Sequence, residues 1–116
     1  MTRGLFEEMS GLDRLVHEPS RLAILTALAE CKSADYVFLN SLVGLTKGNM
    51  SAHLRKLEAA GLVAITKSFK GKVPNTNIAI TATGRDAVRK HWKQLRELRR
   101  AADRWSPAKA LKERSA

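Results

Sequence analysis

Leu5, Met9, Leu12 and Val16 recur at spacings of four, three and four, with Glu7, Glu8, Asp13 and Arg14 off that stripe, which predicts an amphipathic helix over residues 3–16. His17-Glu18-Pro19 interrupts it, because a residue before proline is pushed out of the helical region while proline itself suits the first helical position. Ser20 to Glu30 then carries Leu22, Ala23, Ile24, Leu25, Leu28 and Ala29 over more than one face, so this is expected to be the most buried helix. Cys31 to Ala34 reads as a loop. Asp35 is the expected cap of a short helix holding Phe38, Leu39, Leu42 and Val43, and Gly44 is the turn after it.

Thr46 is the next good N-cap, and Met50, Leu54 and Leu57 place one apolar stripe on a helix that ends near Gly61. From Leu62 to Phe69 the period changes to two, with Val63, Ile65 and Phe69 on one side, and Asn77 to Thr81 alternates again with Ile78 and Ile80 on the buried side. Lys70-Gly71-Lys72-Val73-Pro74-Asn75 supplies the turn between them, so the two strands form a hairpin with a basic tip. Thr81 caps the last helix, which runs to about Trp105. Along it Val88, Trp92, Leu95, Leu98, Ala102 and Trp105 make a coiled-coil-like seam, and Ser106-Pro107 stops it. Residues 106–116 are expected to be a flexible basic tail.

Charge sharpens this picture. The chain of 116 residues has room for one domain, and its formal net charge is +10. Residues 1–44 hold four cations and six anions, residues 45–76 six and one, and residues 77–116 eleven and four. The expected partner of such a polarised basic field is a polyanion such as nucleic acid. No apolar run approaches bilayer length and no signal-like start is seen, so the expected location is cytoplasmic, associated with the nucleoid, with no membrane partner.

The helix capped by Thr46 carries Lys47, Gly48, Asn49, Ser51, Ala52, His53, Arg55 and Lys56 away from its apolar stripe. Small and amide-bearing residues at its start allow close approach to base edges in a major groove, while the cations further along reach phosphates. Asn49, Ser51 and Lys47 are the candidates for base contacts, Arg55, Lys56 and His53 for phosphates, and Gly48 for close approach. Lys67, Lys70 and Lys72 of the hairpin have no nearby compensating acid and are candidates for the adjacent minor groove or backbone. The bland alternatives are a solvated helix face and lysines that merely discourage edge pairing.

Leu5, Met9 and Leu12 of the first helix and Val88, Trp92, Leu95, Leu98 and Trp105 of the last are too much apolar surface for one small domain to cover. A twofold pairing in which the helices over about 3–16 and 82–105 bury each other across two subunits covers more of it, so a homodimer is expected. Enzyme chemistry finds no support: there is no phosphate loop, nucleophile elbow or acidic pair. Cys31 is the single cysteine, and His17, His53 and His91 lie on separate elements without metal-ligand spacing, so neither a metal nor a cofactor is expected.

His17-Glu18-Pro19-Ser20-Arg21-Leu22-Ala23-Ile24-Leu25 resembles the opening of ArsR-type regulators. Thr46 to Leu54 and Leu57-Glu58-Ala59-Ala60-Gly61-Leu62-Val63 look like the recognition helix of the ArsR/MarR-like winged-helix family, and Ile80 to Arg85 is similar to its strand-to-helix junction. The resemblance covers residues 11 to 100 or so. It implies a mainly α (α+β) winged helix-turn-helix, with a three-helix core, a two-stranded wing and a long C-terminal dimerisation helix, within a single domain over 1–105. It also implies a homodimeric, sequence-specific regulator of transcription, expected to be a repressor, that sets its 46–61 helix into a palindromic operator of double-stranded DNA. A non-specific nucleoid protein and a protein-interaction module on the same scaffold remain as alternatives, and a small-molecule effector of unknown identity is left open. The metal-sensing members' paired ligands are missing here.

Overall fold

The computed structural model describes residues 4–115 as seven helices and three strands. In chain order these are α1 (Leu5–Ser10), α2 (Arg14–His17), α3 (Pro19–Cys31), β1 (Ser33–Asp35), α4 (Tyr36–Val43), α5 (Lys47–Ala59), β2 (Val63–Lys70), β3 (Val73–Ile80), α6 (Ala82–Arg104) and α7 (Pro107–Ser115). The predicted winged helix-turn-helix is the observed fold, with two changes at its N-terminal side and one at its end.

The helix expected over residues 3–16 is two. The chain breaks at Gly11, and Asp13 restarts it by accepting a hydrogen bond from the Leu15 amide at 2.9 Å. Residues 107–115, expected as a flexible tail, form α7. The segment after α3, expected as a loop, contains β1, which pairs antiparallel with β3 in the register Ser33↔Ala79, Ala34↔Ile78, Asp35↔Asn77. The sheet order is therefore β1-β3-β2.

Local chemistry accounts for most boundaries. Glu18 caps α3 through a 2.8 Å bond from the Arg21 amide, with Pro19 at the first position. Asp35 caps α4 by accepting from the Phe38 amide at 2.8 Å, and Gly44 ends it at a φ of +72°. Helix α5 begins at Thr46, whose hydroxyl accepts from the Asn49 amide at 3.2 Å. It closes in a Schellman motif: Gly61, at φ +76°, donates to the Glu58 carbonyl, and Leu62 donates to the Leu57 carbonyl, both at 2.9 Å.

The core lies where α3, α4, α5 and the sheet meet, and Ile24, Leu25, Leu28, Leu39, Met50, Leu57 and Ile78 are sealed within it. As expected, α3 supplies much of it. Phe38 and Leu42 of α4 are exposed. Helix α6 packs mainly on α3 and also on α1 and α2. Its first turn fits against the turn that ends α5, where Gly84 passes so close to the Leu62 carbonyl that a β-carbon would overlap it. The far end of α6 runs beyond the core. The chain measures 69 × 26 × 21 Å with a radius of gyration of 18.4 Å, against about 13 Å for a compact domain of this length.

Candidate nucleic-acid interface

Helix α5 divides cleanly. Met50, Leu54 and Leu57 anchor one face in the core, while Lys47, Gly48, Asn49, Arg55 and Lys56 are exposed on the other. Ser51 and Ala52 lie half-buried at the border. The start of the helix is exposed at Lys47 and Gly48, which leaves the positive end of its dipole facing outward. Tyr36, which the sequence did not single out, ties this end to α4 by donating its hydroxyl to the Lys47 carbonyl at 3.3 Å. Its place immediately after the Asp35 cap was the available signal.

The hairpin is longer than predicted. Strand pairing continues to Lys70↔Val73, leaving a two-residue turn at Gly71 and Lys72. Gly71 takes a φ of +64°, a position that favours glycine at the head of such a turn. Lys67, Lys70 and Lys72 are exposed along this wing. Phe69, grouped in the sequence with the buried Val63 and the half-buried Ile65, stands in solvent.

Between α5 and the wing runs an open groove of about 820 Å³. Lys47, Ser51 and Arg55 line it from the helix, Lys67, Pro74, Asn75 and Thr76 from the wing, and Tyr36 and Val37 from the start of α4, with Glu58 its one acid. Thus the structure brings Lys47, Ser51, Arg55 and Lys67 onto one concave surface. Asn49 and Lys56 are exposed on α5 outside that lining, and Lys70 and Lys72 extend beyond it at the tip. Chemically, the groove offers cations and hydroxyl or amide hydrogen-bonding groups to a polyanion.

His53, a candidate for phosphate contact, is turned inward. Its Nδ1 lies 3.1 Å from Arg21 Nη1 and 3.6 Å from a Glu18 carboxylate oxygen. Arg21 itself is 8% exposed and also donates to the Leu15 carbonyl at 2.6 Å. Partial burial works to raise the Glu18 carboxyl, but the Arg21 and Ser20 amides, with the neighbouring His53 and Arg21, outweigh it and hold the group below the usual carboxylate range. This cluster fixes the depth of α5 relative to α3.

A second cluster joins α2 to α6. His91 is 1% exposed and its Nε2 lies 3.0 Å from Nδ1 of His17. Burial, then the proximity of His17, pushes the His91 imidazole down, and Asp13 only partly opposes them. Among the described residues, no group of three or more His, Cys, Asp or Glu side chains is arranged to hold a metal ion.

The residues expected at a dimer interface are distributed unevenly. Val88 belongs to the core of the single chain. Trp92 donates its indole N–H to the Thr26 hydroxyl at 3.0 Å yet stays partly exposed. Leu5, Leu12, Leu95 and Leu98 are half-buried, while Met9 and Trp105 are exposed. Phe6 meets Trp105 edge to face, with ring centroids 5.8 Å apart, so α1 covers part of the seam within the same chain.

The model of one protein family, described as winged helix DNA-binding domain, matches residues 20–99, which takes in the core, α5, the wing and most of α6. The chain belongs to this winged-helix family. An uncharacterized protein of Methanocaldococcus jannaschii is 37% identical to this winged-helix protein over 79 residues, covering 67% of the chain and 85% of the relative. Among solved structures, a transcriptional regulator homologue from Pyrococcus horikoshii superposes with a TM-score of 0.76 at 28% identity, covering 85% of this chain and 96% of that one. A MarR-family transcriptional regulator from Silicibacter pomeroyi shares the fold, with a TM-score of 0.60 at 19% identity and coverage of 96% and 73%. The winged-helix protein therefore carries a DNA-binding fold whose structural neighbours are regulators of transcription, not enzymes. Among the described residues, no helix is long and apolar enough to cross a membrane.

Proposed function

We propose that the protein is a homodimeric regulator of transcription that sets α5 of each subunit into the major groove of a palindromic operator. The observation that carries this reading is the single basic groove shared by the exposed face of α5 and the wing. Lys47 and Asn49, with Ser51, read or border the bases; Arg55, Lys56 and Lys67 hold phosphates; and Lys70 and Lys72 reach the flanking backbone. His53 acts from behind by seating the helix on Arg21. The dimer is supported by the extended shape of the chain and by the partly exposed Trp92 and Trp105 on α6. A twofold axis would place half-sites about one helical turn apart.

Selection from random duplex DNA with the purified protein at near-physiological salt tests this directly. The expected result is a palindromic consensus; a protein that binds no duplex would refute the reading. One observation favours a second reading. Helix α6 carries eight Arg and Lys against three acids, outside the groove. A nucleoid protein that holds DNA without sequence preference would use such charge, and bound DNA without any consensus would identify it.

A further inference from the structure

The tip of the wing combines two kinds of surface. Phe69 is 71% exposed and Val73 66% exposed, at positions directly beside the turn, and three lysines stand around them. A lone exposed apolar side chain is ordinary and needs no account. Here the apolar residues cluster at the tip. Phe69 lies opposite Pro74 in the strand register on one face, while Val73 pairs with Lys70 on the other.

Alternation fixes which way the pair faces. Ile65, Lys67 and Phe69 share one face of β2, opposite Ile78, Thr76 and Pro74 of β3. Ile78 is sealed in the core, and Lys67, Thr76 and Pro74 line the groove beside α5. Phe69 and Pro74 therefore continue the groove's wall outward, past the body of the domain. From Ile65 to Phe69 is four residues, or about 13 Å of strand, which carries the ring past the groove and towards the neighbouring minor groove of a bound duplex.

Resting on the proposed reading of duplex DNA by α5, we infer that Phe69 is a wedge. It enters the minor groove beside the half-site and partly unstacks one base step, while Lys67, Lys70 and Lys72 hold the phosphates on either side. The lysines supply the charge complementarity, and the flat apolar ring supplies what a lysine cannot, a surface on which a base can stack. Specificity at that step then comes from how easily the step deforms and not from hydrogen bonds to its bases, so flexible pyrimidine–purine steps are preferred.

The test uses a duplex recovered from the random pool, with 2-aminopurine placed in turn at each step flanking the half-sites. Wild-type protein should raise the fluorescence at one step on each outer flank. Phe69→Ala should abolish that rise and weaken binding roughly tenfold, with the slope of affinity against salt unchanged because no phosphate contact is removed. Phe69→Tyr, which keeps the flat ring, should retain most of the signal. Melting temperatures should be the same for all three proteins, since the ring makes no core contact. Wild-type protein that binds the duplex without raising fluorescence at any step would overturn the wedge alone, as would a Phe69→Ala protein that keeps the rise. Binding to phosphatidylglycerol vesicles that depends on Phe69, with no effect of Phe69→Ala on DNA, would overturn it in favour of a lipid surface. Failure of the wild-type protein to bind any duplex would refute the DNA reading itself.

Discussion

Arg21 of α3 and His53 of α5 meet at 3.1 Å, joining the most buried helix of the chain to the helix that faces the groove. Because Arg21 also donates to the carbonyls of Leu15 and Arg14 in α2, its guanidinium ties α3 to both α2 and α5. Arg21→Met keeps the length of the side chain but removes every donor. It should cost about 1–3 kcal/mol in urea unfolding, the penalty of leaving buried acceptors unpaired. Arg21→Lys should recover little of this, since an ammonium cannot span those acceptors as a planar fork does. Equal stability of both variants with the wild type would show that the cluster does not set the seat of α5.

The histidine pair gives stability a definite dependence on pH. His91 binds its proton less readily when folded than the ordinary histidine value of 6.5. The unfolded chain therefore takes up the proton first as pH falls. Stability should be full above that value and should decline on acidification below it, levelling off once the folded protein is protonated too. Glu18 adds a later loss, because its depressed carboxyl contributes above its ordinary value of 4.5 and the contribution goes as pH falls through the folded value. Unfolding by urea at a series of pH values should show the first decline in the wild type and not in His91→Gln.

Lys47 and Asn49 are exposed in the free protein, so replacing both by alanine should change stability by no more than about 0.5 kcal/mol. Sequence preference in the duplex selection should nevertheless be lost. A large fall in melting temperature would mean that α5 is rotated about its axis.

Salt should weaken DNA binding steeply. If a dimer neutralises about six to ten phosphates, log affinity against log salt should slope at about −5 to −9. Lys70→Ala should make the slope shallower by about 1 per subunit while leaving the consensus unchanged. A nearly flat dependence would contradict the interface.

Gly84 tests the junction of α5 with α6. A β-carbon there collides with the Leu62 backbone carbonyl, which is held by the Thr81 amide at 3.1 Å and cannot retreat freely. Gly84→Ala should destabilise the protein by about 1–3 kcal/mol in denaturant titration, despite alanine's better helix propensity.

Signals that act within a few residues were legible in the sequence. Asp35 and Thr46 cap helices as their spacing implied, Gly44 and Gly61 take the left-handed turns, and Thr81 opens α6. Strand β1 was not, because three residues hold no period and its pairing is with β3, more than forty residues on. The N-terminal stripe kept its spacing through Gly11 and so concealed the break there. Phe38 and Leu42 fit a helical period, but period says only that a face is apolar and not that anything covers it. His53 was within reach: it stands three residues after Met50 and four before Leu57, at the edge of the buried face. What hid its role was Arg21, thirty-two residues earlier and able to meet it only through packing. The exposed tip of the wing was concealed in the same way, since strand alternation continues past the point where the core ends.

Thr81 bears on how the two ends of the molecule constrain each other. Its hydroxyl donates to the Gly61 carbonyl at 2.6 Å and accepts from the Gly84 amide at 2.9 Å, so one side chain fastens the foot of α6 to the close of α5. The 23 residues of α6 span about 35 Å. With that foot as fulcrum, a tilt of about 5° carries the far end through about 3 Å. In the proposed twofold pair, with the far ends clasped, the same lever would run in reverse: the clasp would set the angle of both helices at their feet, and so the span between the two groove-facing helices.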